Sequence, residues 1–129
     1  MKIAIQLAAV AVICSLSATA KAEGDAANGE NVFKKCKICH QVGDGAKNQI
    51  GPALTGVIGR KAGTGEGFAY SPAMKAAGEK GTVWDEETLG KYIENPRDFV
   101  PQNKMAFVGL KVDKDRADVI AYLAKFSAK

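Results

Sequence analysis

Five consecutive residues carry the strongest chemistry in the chain: Cys36-Lys37-Ile38-Cys39-His40. Two thiols three positions apart on one helical turn point the same way, and each can add to one vinyl group of a haem. The imidazole that follows can reach the iron from the same side. His40 is the only histidine in the 129 residues, so no second imidazole competes for that role, and sites needing two imidazoles are excluded. A bare CxxC is open to other chemistry. A thiol–disulfide pair suits a small oxidoreductase, but it normally follows a strand in an α/β fold, and here it follows a helix signal. Half a zinc site lacks the second Cys pair that would complete it. A structural disulfide across two intervening residues is sterically awkward. Covalent haem attachment uses all three side chains.

A haem that only carries electrons needs a ligand on its other face. Met74 and Met105 are the thioethers downstream of the attachment site. Met74 sits in a helical stretch beside Lys75, where ordinary packing is the plain role. Met105 sits in Pro101-Gln102-Asn103-Lys104-Met105-Ala106-Phe107, which has turn signals and no periodicity. Such a loop can carry a ligand across the far face. A neutral thioether favours Fe(II), so His/Met ligation raises the potential, and a dry pocket raises it further. Two rival functions remain open on these residues alone. An unbound Met105 would leave an open iron, as in a gas-binding protein or a haem enzyme. A chain without haem would be a thiol–disulfide oxidoreductase.

The elements that must position these groups read as helices joined by glycine-rich loops. Asp25 can cap a helix through Val32 and Phe33 toward Cys36. Residues 43–67 carry a run of glycines that reads as irregular loop. Ser71-Pro72 opens a short helix that Gly78 can close. Asp85 can cap a helix through Leu89, Tyr92 and Ile93, stopped at Asn95-Pro96. Asp113 or Asp115 can cap a last helix whose Val119, Tyr122, Leu123 and Phe126 form an apolar stripe. No stretch alternates as a strand would. The expectation is one all-α domain over 23–129, with four to five helices and long loops wrapped round one haem.

Residues Met1–Ala22 read as a secretory signal, removed on export. Lys2 supplies the charged start, Ile3–Leu16 the apolar run, and Ala18-Thr19-Ala20 or Ala20-Lys21-Ala22 the cleavage site, with cutting after Ala22 favoured. An uncleaved anchor would be a poor span against the ~20 apolar residues a bilayer needs. Cys14, the third cysteine, leaves with this segment. Large apolar side chains are sparse beyond it, so the core should be thin unless a large apolar cofactor helps to fill it.

Taken together, these residues resemble class I cytochrome c, especially its bacterial c2 and mitochondrial branches. The resemblance spans residues 24–127. It rests on Gly29 and Phe33, Cys36-x-x-Cys39-His40, Gly51-Pro52-Ala53-Leu54 and Gly59-Arg60-Lys61-Ala62-Gly63. It continues through Phe68-Ala69-Tyr70, Trp84, Tyr92-Ile93-Glu94-Asn95-Pro96, Pro101-x-x-Lys104-Met105-x-Phe107 and Asp115–Leu123. So many features in one order are far more specific than CxxCH alone.

The resemblance implies a fold, a function and residue roles. The fold is the small cytochrome c fold. The function is that of a soluble periplasmic one-electron carrier, not an enzyme, with one covalent haem c. His40 and Met105 would be the axial ligands. The Pro52 carbonyl would accept from His40 Nδ1 and so fix the ring. Arg60, Tyr70, Trp84 and Asn103 would satisfy the haem propionates, which cannot be buried bare. Tyr92 would set its hydroxyl near the Met105 sulfur, and Gly29 and Phe33 would cross Val119 and Tyr122. Two departures stand out. Met74 replaces an Asn frequent in the family, and the segment Gly78–Val83 looks longer than in mitochondrial relatives.

The formal net charge is +4, but arrangement says more than the sum. Lys34, Lys35 and Lys37 flank the attachment site, with Lys47, Lys104 and Lys111 placed to extend the positive edge. Ammonium groups there would steer the protein to acidic partners. The resemblance implies a cytochrome bc1-type donor, and a terminal oxidase or photosynthetic reaction centre as acceptor. Nothing suggests nucleic-acid binding, and a monomer suffices.

Overall fold

The computed structural model describes residues 24–127. The expected secretory segment, with Cys14, lies outside the described residues. Among those described, five helices form and no strand does: α1 (Ala26–Phe33), α2 (Pro72–Glu79), α3 (Glu86–Glu94), α4 (Pro96–Phe99) and α5 (Asp113–Ala124). One isolated antiparallel bridge joins Lys61 to Val83. No described helix is long and apolar enough to cross a membrane.

Local sequence accounts for most of the boundaries. Asp25 caps α1, its carboxylate accepting from the Ala27 and Asn28 amides. Ser71 caps α2 ahead of Pro72 in the first turn, where a missing N–H costs nothing. Asp85 and Thr88 close a reciprocal capping box at the start of α3. The stop at Asn95-Pro96 is where α3 ends, but Pro96 also opens the short α4.

Two expected boundaries need correction. Gly78 does not close α2, which continues to Glu79 with Lys80 as its C-cap. Gly78 instead lies buried inside the helix, against the Ala62 carbonyl. Neither Asp113 nor Asp115 caps α5. Val112 holds the cap position without a side-chain bond, and Asp113 is the first helical residue. Its carboxylate pairs with Arg116 rather than with the helix amides, and Arg116 also donates to the Leu110 carbonyl. Both acids still lie at the positive end of the helix dipole.

The frame is the crossing of α1 on α5. A Cβ on Gly29 would stand 1.9 Å from the Asp118 carbonyl oxygen, so only glycine lets the backbones come this close. Phe33 and Tyr122 pack across the crossing with ring centroids 5.4 Å apart. Asp118, only 1 % exposed, clamps the crossing from within. Its carboxylate accepts from the Asp25 amide (2.7 Å), Asn28 Nδ2 (2.6 Å) and Lys114 Nζ (2.5 Å). The stripe on α5 is buried at Val119, Tyr122 and Leu123, while Phe126 lies just past the helix and meets Tyr122 edge-on. α3 packs on α5 and carries α4 beside it. The long loop from 34 to 71 closes the other side.

Candidate haem site

The chain leaves α1 without leaving helical geometry. Cys36 and Lys37 both donate to the Phe33 carbonyl, and Cys39 and His40 both donate to the Cys36 carbonyl. This turn sets Cys36, Cys39 and His40 on the core side, half-buried, while Lys37 and Ile38 face water. The two cysteines are not joined in a disulfide. Burial pushes the Cys36 thiol up to about 11, with Cys39 adding to the shift. A redox-active CxxC needs the opposite, a stabilised thiolate, for which the N-terminal end of a helix is the favourable place. The Cys36 thiol follows a helix C-terminus instead and remains neutral.

His40 is fixed by what comes next. Its Nδ1 lies 2.8 Å from the Pro52 carbonyl. A carbonyl only accepts, so Nδ1 carries the proton and Nε2 keeps its lone pair. Burial lowers the His40 pKa, partly opposed by the bond to Pro52, so the ring is neutral and able to ligate a metal. The Gly51 amide donates to the Cys39 carbonyl and the Leu54 amide to that of Gln41. A Cβ on Gly51 would lie 2.4 Å from His40 Cε1, so glycine leaves room for the ring. Asn48 braces this loop, accepting from the Ala53 amide and donating to the Glu66 carbonyl.

The two methionines are placed differently. Met74 is 9 % exposed inside α2 and belongs to the core cluster. Met105 is half-buried in the loop after α4, and the Tyr92 hydroxyl lies 3.7 Å from its sulfur. Tyr92 itself is buried against Trp84, with centroids 5.0 Å apart, and burial pushes its phenol up to about 12. It therefore stays a donor.

Arg60, Tyr70 and Trp84 come together around one loop. Arg60 and Trp84 pair through the backbone, Trp84 N donating to Arg60 O at 2.9 Å. The Tyr70 hydroxyl accepts from the Gly65 amide at 2.9 Å, and Gly65 lies against the Arg60 guanidinium. Arg60 Nη2 is 3.4 Å from the Ala53 carbonyl. Asn103 donates to the Pro96 and Val100 carbonyls and accepts from the Met105 amide. The segment before Trp84 closes α2 with tight turns and pairs with residues 61 and 62.

All six lysines of the expected docking edge are exposed. Lys34, Lys35 and Lys37 lie on or beside the Cys36 turn. Lys104 reaches the Ala69 carbonyl and Lys111 the Glu94 carbonyl.

These donors fit a haem. Two free thiols are available for addition, a neutral imidazole has a free lone pair, and another element offers the Met105 thioether. Cys36, Leu54, Tyr70, Met105 and Phe107 are only partly covered by the protein core they pack on. Sequence reasoning missed Asn28, Lys114 and Asp118, and also Asn48. The i,i+4 spacing of Lys114 and Asp118 was a usable signal for the clamp.

Fold and site define a class: a small helical protein built round one covalent haem. The comparisons agree. The family model for cytochrome c matches residues 26–127. Cytochrome c2 of Rhodomicrobium vannielii is 56 % identical over 121 residues, covering 94 % of each chain. Cytochrome c2 of Blastochloris viridis is 46 % identical over 116 residues, covering 90 % of this chain and 89 % of its own. The solved cytochrome c2 of Rhodospirillum centenum superposes with a TM-score of 0.78 at 46 % identity, covering 81 % of this chain and all of its own. The chain belongs to the cytochrome c family. It is an electron-carrying haem protein rather than an enzyme, with one covalent haem c for which Cys36 and Cys39 form the CxxCH motif.

Proposed function

We propose that the protein is a periplasmic one-electron carrier with His40 and Met105 as axial ligands. On this reading it takes electrons from a cytochrome bc1-type complex and passes them to a terminal oxidase or a photosynthetic reaction centre. The bound haem supplies the Fe(II)/Fe(III) couple. The observation that carries the reading is that both ligand side chains are held by separate partners. The Pro52 carbonyl orients His40, and the Tyr92 hydroxyl meets the Met105 sulfur. Ligands held this way stay in place in both oxidation states, so little has to reorganise when an electron moves. Arg60, Tyr70 and Trp84 take the propionates, placing a cation and aromatic donors beside two anions. The leader Met1–Ala22 exports the chain, and the carrier acts as a monomer.

Lys34, Lys35, Lys37, Lys47, Lys104 and Lys111 form the docking edge. Exposed charges of this kind act on encounter more than on final affinity. The test is the rate of reduction of the holoprotein by a bc1-type complex across a salt series. Rates should fall as salt rises, and Lys35→Glu with Lys104→Glu should slow reduction roughly tenfold at low salt. Equal rates for the double variant would reject the docking edge, and no reduction of the wild type would reject the donor.

A further inference from the structure

The Met105 loop is shaped by the side chain two residues before it. Asn103 Nδ2 donates to the Pro96 carbonyl and to the Val100 carbonyl, each at 2.8 Å, and its Oδ1 accepts from the Met105 amide at 2.7 Å. A primary amide has two N–H donors, and both are engaged here. None is left for an anionic propionate, the role that family resemblance suggests. The bond to Met105 closes an Asx turn, in which a side chain imitates backbone.

The other end of the clamp is firm. Pro96 is among the most deeply buried residues, and Val100 is 3 % exposed. The amide therefore ties a half-buried loop to a buried anchor. Something must do so, because the preceding Gln102 holds φ at +66°, a left-handed conformation that side chains with a Cβ disfavour. Without the clamp, the loop would gain by relaxing Gln102 and letting Met105 go.

The geometry points to Asn103 as the positioning residue that keeps Met105 at the iron, acting on the loop and not on the haem propionates. This inference rests on the reading of Met105 as axial ligand, so its test must separate the two. The measurement is a pH titration of the weak far-red sulfur–iron band of the oxidised holoprotein, with the reduction potential read alongside. Asn103→Ala removes three hydrogen bonds, so the Met-detached population should rise roughly tenfold to a hundredfold. The pH midpoint for loss of the band should then fall by about one to two units. Asn103→Ser can still accept from the Met105 amide but cannot span to both carbonyls. Its midpoint should lie between, and it carries the test if the alanine variant does not assemble. A potential that shifts while the midpoint stays at the wild-type value would assign Asn103 to the propionates and overturn the inference. A wild-type band that is absent, or that survives in Met105→Leu, would reject the ligand reading itself.

Discussion

The two proposed ligands, His40 and Met105, are positioned by different routes. His40 is contiguous with the thiols, so a single helical turn delivers all three. Met105 lies on a distant loop; the resemblance implied Tyr92 at its sulfur and the helical stretch implied packing for Met74, and the folded chain has both, with the hydroxyl 3.7 Å from the sulfur. The first group was therefore legible in sequence, because attachment chemistry demands adjacent residues. The role of Asn103 was not legible, since its partners at Pro96 and Val100 are defined only once α4 forms. The ligand assignment predicts an asymmetry between the methionines. Met105→Leu should abolish the far-red band of the oxidised protein and lower its potential. Met74→Leu, a nearly volume-conserving change in the core, should keep the band and cost under about 1.5 kcal/mol of stability. Loss of the band in Met74→Leu alone would reverse the assignment.

At the level of elements, the site depends on α1 lying close on α5, because the Cys36 turn is the direct continuation of α1. Gly29 makes that approach sterically possible, and the Asp118 carboxylate fastens it. Gly29→Ala should destabilise the protein by roughly 3 kcal/mol, since the clash is with backbone that cannot step aside. A melting temperature within a degree or two of wild type would count against the crossing as described. The carboxylate adds a pH dependence. Its bonds to Lys114, Asn28 and the Asp25 amide hold the Asp118 pKa down at about 2, below its ordinary value of 3.8. A lowered folded-state pKa contributes stability that is full above the unfolded value and is lost as pH falls through the folded one. Thermal unfolding should therefore show Asp118→Asn less stable than wild type at pH 7, with the gap narrowing from about pH 4 toward pH 2. A gap that stays constant over that range would contradict the shift. The caps at Asp25, Ser71 and Asp85 were legible because capping is local chemistry. Of the clamp, only the i,i+4 pair Lys114–Asp118 was legible; its bonds to Asp25 and Asn28 were not, because they form only when α1 crosses α5. The α5 cap was misplaced for a related reason: the Asp113 carboxylate found Arg116 instead of the helix amides.

Over the whole molecule, the described residues place a thin helical frame on one side and a long glycine-rich loop on the other. The His40 imidazole is held by the Pro52 carbonyl, and the Met105 thioether meets the Tyr92 hydroxyl. Composition pointed only to a thin core that a large apolar cofactor could help to fill. It could not show which loops would close over the cofactor, because that depends on contacts such as those between Gly65, Tyr70 and Arg60. On the proposed ligation the iron is closed on both faces, as an electron carrier requires and a gas-binding protein or haem enzyme does not. The visible spectrum of the holoprotein tests it directly, taken oxidised, then reduced, then reduced under carbon monoxide. Sharp reduced bands that carbon monoxide barely alters are the predicted result. A large shift on adding carbon monoxide would mean an open iron, and would replace the electron carrier with a gas-binding protein or a haem enzyme.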